Sequence, residues 1–482
     1  MSDTVNNSHT KGNPASPATD SPRLTKRLRA ILAVVLIADM LDLMDSTITN
    51  IAAPSIAANI GGGQTLIKWL GAAYALAIGV LLVVGGRLGD RYGKRKLFLI
   101  GIAGFTAASA FCGLSISPAM IIFGRLVQGS FGALLIPQGI SILMATFSPA
   151  QFPGAVSAFG PVMSISSVLG PILAGLIIQA NIAGLGWRPM FLMNIVLGLI
   201  GFVAGIRLLP KDSGNSGEKL DLSGSLLLGS AMFGMIYGLI EGSADGWKAI
   251  PVAGLLAGVI FFAFFALHLR KSVNPLIKPT LFTNRGFTSG LLLGLAFFAA
   301  VNGLSYLVSL FFQLVLELTP YQAALFITPM AVGIVLSSLI CRPLLHKLGR
   351  RLVVIGLLFT LAGAVLLAVS ILFLAGNNGA MVTIPALLII GAGMGACFSS
   401  IYEVALGDIS PGEAGSASGS LSAVQQLAAA IGSAVVTTLF FKLQLKTGGT
   451  NAMVISVFLI AAIICLCLGL VWLLPKNALP EE

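Results

Sequence analysis

Long apolar runs recur along the whole chain, each of about 20 residues and each closed by a short polar or glycine-rich break. Such a run crosses the hydrocarbon core of a bilayer as a helix. A transmembrane strand would alternate in polarity and be about half as long. The pattern predicts fourteen spanning helices, over 30–53, 67–86, 97–115, 119–145, 154–179, 187–208, 222–241, 248–268, 286–312, 322–345, 350–375, 380–403, 416–441 and 451–474. The fold class this predicts is an all-α polytopic membrane protein.

Composition sharpens the picture. Of 482 residues, 56% are apolar and 9% charged, with a mean hydropathy of +0.98. Soluble domains carry roughly 25% charged residues, so no large soluble domain fits here and a receptor or scaffold built on one is excluded. Residues 1–22 are rich in Ser, Thr, Asn and Pro and read as a disordered tail. The first apolar run follows a basic lead from Arg23 to Arg29 and carries three Asp. It is not read as a cleaved signal peptide, although AAPSIAA at 52–58 mimics a cleavage site. Cys112, Cys341, Cys397, Cys465 and Cys467 lie in or beside apolar segments without metal-ligand spacing. They are expected to be inert buried thiols, with no metal site.

Charge orients the chain. With the N-terminus inside, 22 of the 28 Lys and Arg fall in cytoplasmic segments, 5 fall outside, and Arg125 lies within a helix. This bias predicts a multi-pass protein of the cytoplasmic (inner) membrane with both termini in the cytoplasm. The net charge of +11 then reflects that asymmetry, and no nucleic-acid partner is expected.

The densest basic stretch is GRLGDRYGKRKL at 86–97, predicted as a short cytoplasmic loop. Asp90 sits among Arg87, Arg91, Lys94, Arg95 and Lys96, with Gly86, Gly89 and Gly93 allowing a tight turn. RPLLHKLGRR at 342–351 is a degraded echo: Gly349 matches Gly93, Arg350 and Arg351 match Lys94 and Arg95, and His346 replaces Asp90. The echo divides the chain into a tail (1–29), a six-helix half (30–208), two inserted helices (222–268), a second six-helix half (286–474) and a tail (475–482). Membrane transporters are commonly built from such repeated halves.

Chemistry concentrates in helix 1. Asp39, Asp42 and Asp45 recur at i, i+3 and i+6, on one face of the helix. Each charged Asp near a bilayer centre costs about 2.5–3.5 kcal/mol, so the three are expected to face a polar cavity, bind protons or find a cation. Arg125 is the one basic residue placed well inside a span. Its depth from the end of helix 4 matches that of Asp45 in helix 1 within roughly 3 Å, and Asp42, one turn deeper, is the second candidate partner. A proton-coupling site and a purely structural ion pair both fit this arrangement. Helix 5 contains Gly160–Pro161 and Gly170–Pro171, with Ser166, Gly170 and Ala174 as a small-residue stripe. His268 and His346 are expected to be solvated at helix ends. Glu241, Glu317 and Glu403 read as cavity-mouth or interface residues. Met40, Met44, Phe311 and Phe312 suit either packing or a soft binding surface.

These motifs resemble the major facilitator superfamily. The 86–97 stretch is similar to its G-x-L-A-D-R-x-G-R-K loop, and helix 5 to its antiporter signature G-x-x-x-G-P-x-x-G-G, with Ala174 replacing one glycine. MDSTITNIAAPSI (44–56), Arg125 with Gln128, Gly129 and Pro137, WRPMFLMNIVLG (187–198), LDLSGSLLL (220–228), EGSADGW (241–247), NPLIKPTLFTNRGF (274–287) and the 407–435 stretch resemble, in order, blocks of the 14-helix drug:proton antiporter family. The 146–154 loop departs, lacking the charges usual there. The resemblance implies a major facilitator fold, a conformational-switch role for Gly86, Asp90, Arg91, Gly93, Lys94 and Arg95, and an antiporter-motif role for Gly160, Pro161, Gly170, Pro171 and Gly175.

The expected function is proton-coupled export of lipophilic, cationic small molecules by a monomer in the lipid bilayer. Asp42, Asp45, Arg125 and Asp39 would form the coupling site and substrate cavity, and the proton gradient would replace any cofactor. The same fold could instead export a metabolite, amino acid, peptide or biosynthetic product. An enzyme or ATP-driven pump is not expected, because the chain lacks a G-x-x-x-x-G-K-[ST] loop and any metal cluster or catalytic triad.

Overall fold

The computed structural model describes residues 25–148, 151, 155, 159–214, 221–244, 247–272, 275–277, 280–341, 344, 348–372, 379–406 and 414–474. Among these residues fourteen helices have 20 or more residues. They are α1 (Lys26–Ile60), α2 (Gly63–Tyr92), α3 (Lys94–Gly113), α4 (Pro118–Thr146), α5 (Phe159–Ala180), α6 (Pro189–Leu208), α7 (Leu222–Ala244), α8 (Ala249–Lys271), α9 (Arg285–Leu314), α10 (Pro320–Cys341), α11 (Arg350–Leu372), α12 (Ile384–Leu406), α13 (Ala414–Thr447) and α14 (Gly449–Leu470). Twelve are long and apolar enough to cross a membrane. The other two are α1, with its aspartates and basic start, and α5, apolar over Leu169–Ala180. Several helices run past the apolar stretch that announces them, because hydropathy marks the hydrocarbon core while backbone hydrogen bonding continues beyond it.

Side chains start the helices where the sequence offers an oxygen. Ser117 accepts from Met120 N at 3.3 Å with Pro118 in the first turn, and Asn284 accepts from Phe287 N at 3.0 Å. The 86–97 stretch is not the loop its charge suggests: α2 continues through Tyr92 and α3 begins at Lys94. One residue makes the turn, Gly93 at φ +99°, a conformation that costs a side-chain-bearing residue dearly. Asp212 caps the new helix, accepting from Lys94 N and from Arg95 N at 3.1 Å. Gly349, also at positive φ (+47°), precedes α11 as Gly93 precedes α3.

Packing repeats along the chain with a shift of eight helices. In the first half α4 packs on α2 and α3, α6 on α3, and α1 on α4, α5 and α6. In the second half α12 packs on α10 and α11, α14 on α11, and α9 on α12, α13 and α14. The halves meet along α2–α13 and α5–α10. The pair α7–α8 packs on itself and, through α7, on α2 and α13 beside that seam. Gly234 and Gly258 bring the pair together: a Cβ on Gly258 would lie 2.5 Å from Met235 N. The outer face of α8, including Leu256, Val259, Ile260 and Phe264, stays exposed, as a lipid-facing surface would.

Three consecutive residues at the start of α2 reach three different elements. The Ile67 carbonyl accepts from Tyr306 Oη of α9 at 2.5 Å, Lys68 Nζ lies 5.9 Å from the Phe441 ring of α13, and Trp69 Nε1 donates to Glu241 of α7 at 2.9 Å.

Two adjacent glycines give a clean test of how closely the helices approach. A Cβ on Gly85 would sit 2.2 Å from the Ala133 carbonyl oxygen of α4, whereas one on Gly86 meets only Pro137 Cβ at 3.8 Å. Gly85→Ala should therefore destabilise the protein by about 1–3 kcal/mol through overpacking. Gly86→Ala should be neutral or gain up to about 1 kcal/mol of helix propensity. Thermal unfolding of the purified protein in detergent reads both, and equal loss in the two variants would contradict the α2–α4 approach.

Candidate functional site

The helical spacing of Asp39, Asp42 and Asp45 sends them along the side of α1 that looks into the first half, where α2, α4 and α6 pack. Asp45 and Arg125 are each 1% exposed, and the structure brings them together: Arg125 Nη1 donates to Asp45 Oδ2. Asp45 Oδ1 accepts from Gln128 Nε2 at 2.8 Å and from Asn194 Nδ2 at 2.7 Å. The guanidinium also donates to Gln128 Oε1 at 2.7 Å and, through Nε, to the Leu70 carbonyl at 3.1 Å. Ser109 Oγ accepts from Gln128 Nε2 at 2.8 Å. Five helices (α1, α2, α3, α4 and α6) thus supply one hydrogen-bonded cluster. A buried charge is tolerable when it is paired and hydrogen-bonded; here both carboxylate oxygens and the guanidinium Nε and Nη1 are bonded, while Asn194 Oδ1 is enclosed without a partner.

Asp42 lies half-buried one turn away and has a different partner. Tyr74 Oη donates to Asp42 Oδ1, and Arg125 Cζ lies 4.2 Å from the centroid of the same Tyr74 ring. The edge of Phe105 fixes the other side of that ring, with centroids 6.5 Å apart and planes at 83°. Gly132 lets α4 approach closely here, since a Cβ there would stand 3.1 Å from Asp42 Oδ1. Asp39 is also half-buried, and its Oδ2 is enclosed without a hydrogen-bond partner. One guanidinium therefore bonds directly to Asp45 and meets Asp42 through the Tyr74 ring. Among the described residues no group of three or more His, Cys, Asp or Glu is placed to hold a metal ion.

The remaining expected residues divide by element. At the α2–α3 turn, Lys94 Nζ lies 4.0 Å from Asp90 Oδ1, and Arg95 Nη2 donates to the Ile206 carbonyl at 2.5 Å. Gly86 and Arg91 lie in the last turns of α2. In α5, Pro171 stands inside the helix, and a Cβ on Gly170 would meet Thr47 Oγ1 of α1 at 2.1 Å. One on Gly175 would meet Tyr321 Cα of α10 at 2.5 Å. These two glycines thus let α5 approach both its own half and the other. Gly160 and Pro161 fall in the first turn of α5, and their surroundings lie outside the described residues.

Some expectations need correction. His268 is not simply solvated: its Nε2 lies 2.7 Å from Asp221 Oδ1, because Asp221 caps α7 through Gly224 N (2.8 Å) at the point where α8 ends. Cys465 is exposed on α14, unlike the other four cysteines. His346 and the side chain of Glu403 lie outside the described residues. Phe311 and Phe312 are fully packed at 1% exposure. Tyr74 and Ser109 were not singled out from the sequence. A phenol or a hydroxyl in an apolar run carries little signal until a charge is placed beside it.

Comparison with known proteins follows the same lines. Residues 35–433 match the family described as the Major Facilitator Superfamily. A probable actinorhodin transporter of Streptomyces coelicolor is 38% identical over 435 residues, covering 89% of this chain and 75% of that protein. A tetracenomycin C resistance and export protein of Streptomyces glaucescens is 31% identical, covering 85% and 75%. The puromycin resistance protein of Streptomyces alboniger is 30% identical, covering 87% and 82%. Among solved structures, an auto-inhibited peptide transporter of the POT family superposes with a TM-score of 0.65 at 15% identity, covering 93% of this chain and 96% of that one. The xylose transporter XylE of E. coli superposes at 0.63 and 14%, covering 93% and 98%. At these identities the structural matches speak for the fold alone.

The cluster around Asp45 makes a stability prediction. Arg125→Leu leaves a buried carboxylate without its cation and should cost about 3–5 kcal/mol. Adding Asp45→Asn removes the stranded charge while keeping a polar group for Gln128 and Asn194. The double variant should recover at least half of the lost thermal stability. Additive losses in the two single variants would show that the pair is not the reason either residue is needed.

Proposed function

The chain belongs to the Major Facilitator Superfamily, and from that membership we infer that it is an efflux transporter of small lipophilic molecules, driven by exchange for protons. It is a transporter and not an enzyme. The observation that carries the coupling is the unequal treatment of two acids on one helix. Asp45 is tied to Arg125 and two amides, while Asp42 has a phenol hydroxyl as its partner and faces Gly132 rather than a cation. Asp45 is committed to that ion pair. Asp42 takes up the exchanged proton.

In this reading cargo and proton compete for the acidic face of α1. A lipophilic cation is held by the negative balance of the site and by apolar contact. Protonating Asp42 from outside removes one charge and releases the cargo there, and losing the proton to the cytoplasm restores affinity. The two six-helix halves, 30–208 and 286–474, rock against each other around this site, with α7 and α8 riding beside the seam. Gly86, Asp90, Arg91, Gly93, Lys94 and Arg95 act at the cytoplasmic end as the switch between states, and the helix 5 glycines and prolines shape the closing path. The proton gradient is the energy source, with no cofactor, and the transporter works as a monomer in the inner membrane. A pH difference of one unit supplies about 1.4 kcal/mol per exchanged proton, enough to sustain about a tenfold gradient of cargo. One-for-one exchange with a monovalent cation moves no net charge, so this pH term is then the whole driving force.

A second reading keeps the mechanism and changes the cargo to a biosynthetic product. It is favoured by two relatives whose names attach them to single compounds, actinorhodin and tetracenomycin C. Transport by purified protein in liposomes, comparing a lipophilic cation dye with a neutral aromatic polyketide, separates the two cargoes.

The orientation follows from the charge bias and is tested directly. A Lys94→Cys variant lacking the five native cysteines should resist membrane-impermeant maleimide in intact cells and react once the cells are opened. Efficient labelling from outside would reverse the topology. The coupling is tested by Asp42→Asn, which should abolish proton-driven accumulation in liposomes, a drop of about tenfold per proton and pH unit. Downhill exchange of cargo should persist. If Asp42→Asn still releases protons on cargo binding and Asp45→Asn does not, Asp45 is the coupling site and the assignment falls.

A further inference from the structure

Asp42 and Asp45 are one turn apart on α1, yet no direct hydrogen bond joins Asp42 to the Asp45–Arg125 pair. A single side chain touches both. Tyr74 donates its hydroxyl proton to Asp42 and lays its ring face against the Arg125 guanidinium, with Cζ 4.2 Å from the centroid. The ring has little freedom. Phe105 packs edge-on against it, and Gly129 brings α4 so close that a Cβ there would stand 2.6 Å from the Tyr74 carbonyl. Arg125 is anchored one helical turn earlier on the same helix, at the Leu70 carbonyl. Tyr74 is 3% exposed, so water does not compete for either contact.

We propose that Tyr74 is a positioning residue that transmits the protonation state of Asp42 to the Arg125–Asp45 pair. The inference rests on the reading that Asp42 exchanges the proton. The physical link is the ring itself. A phenol that donates to a carboxylate gains electron density on its oxygen and ring, and a richer ring attracts a cation more strongly over its face. When Asp42 accepts a proton, that charge-assisted bond becomes an ordinary one, and the ring loses part of its hold on the guanidinium. Arg125 then leans on Asp45, Gln128 and Leu70 alone. The step moves one proton onto a carboxylate oxygen of Asp42 and makes or breaks no other covalent bond. Among the described residues the other titratable groups facing this site are Asp39 and Asp45 on α1, Cys112 on α3 and Arg125 on α4. Of these only Arg125 shares the ring with Asp42.

Infrared difference spectroscopy of the purified full-length protein, between acid and neutral pH, reads this without any cargo. A protonated carboxyl band that disappears in Asp42→Asn identifies Asp42. In Tyr74→Phe that band should move to higher frequency, because its hydrogen-bond partner is gone while the ring and its packing remain. The relay is then tested by Asp45→Asn, which should displace the Asp42 band when residue 74 is Tyr and leave it in place when residue 74 is Phe. An equal displacement in both backgrounds would mean the acids sense each other through space, and Tyr74 would be packing only. An unmoved band in Tyr74→Phe alone would overturn the proposal even if Asp45→Asn failed to fold. If Asp42→Asn removes no band, the assignment of Asp42 as the proton site fails, and the relay fails with it. Transport keeps the outcomes apart: Tyr74→Phe should lower proton-driven uptake of ethidium into inverted vesicles severalfold and leave downhill ethidium exchange unchanged, whereas equal loss of both would mean Tyr74 is packing only.

Discussion

A guanidinium buried between helices dictates much of the first half. Arg125 cannot face lipid at tolerable cost, and a buried ion pair is stable only if every remaining donor and acceptor is used. Asp45 neutralises it, but that leaves one carboxylate oxygen and several N–H groups to satisfy. Gln128 and Asn194 take the second carboxylate oxygen, Gln128 and the Leu70 carbonyl take the Nη1 and Nε hydrogens, and Ser109 holds Gln128 in place. These groups come from α2, α3, α4 and α6, so the ion pair fixes how those helices sit around α1. The glycines follow from the same demand. Gly85, Gly129 and Gly132 permit α2 and α4 to approach closely enough for Tyr74 and Arg125 to meet.

The two halves share a packing plan but not a chemistry. The eight-helix shift in contacts holds for α1–α6 against α9–α14. Yet α9, the counterpart of α1, has no carboxylate and carries Asn302, Ser305, Ser309 and Gln313 along one face. Beside that face stand Phe297, Phe298 and Phe398, with ring centroids 5.3–5.8 Å apart. Among the described residues the enclosed carboxylates on the first helix of a half thus belong to α1, and α9 offers neutral polar and aromatic side chains instead.

Much of this was legible in the chain itself, and the limits are physical. Helix positions follow from hydropathy, because an apolar run of about 20 residues has few other uses. The Asp45–Arg125 contact follows from depth, since two unlike charges at one level in a bilayer have every reason to meet. The 86–97 stretch misled because charge and glycine both suggest a loop. The backbone needed one glycine to turn, and the rest was free to be helix. His268 misled because its partner, Asp221, lies 47 residues away across a helix pair whose packing hydropathy does not reveal. Tyr74 was invisible for a similar reason. An aromatic residue in an apolar helix reads as core until a carboxylate and a guanidinium are found on either side of it.

The start of α2 joins these levels. Ile67, Lys68 and Trp69 reach α9, α13 and α7 in turn, and the next residue, Leu70, receives the Arg125 Nε–H. One turn further on, Tyr74 carries Asp42 and the face of the same guanidinium. A helical turn is stiff, with each carbonyl committed to the N–H four residues on. Separating α2 from α9 and α13 at the seam therefore displaces the Leu70 carbonyl and the Tyr74 ring together, and Arg125 must either follow or give up a bond. The reverse holds as well: a change in what Arg125 grips alters the strain on the three seam contacts. Eight residues, 67–74, thus tie the contact between halves to the charge cluster, and movement of one half against the other cannot leave the acids on α1 unaffected.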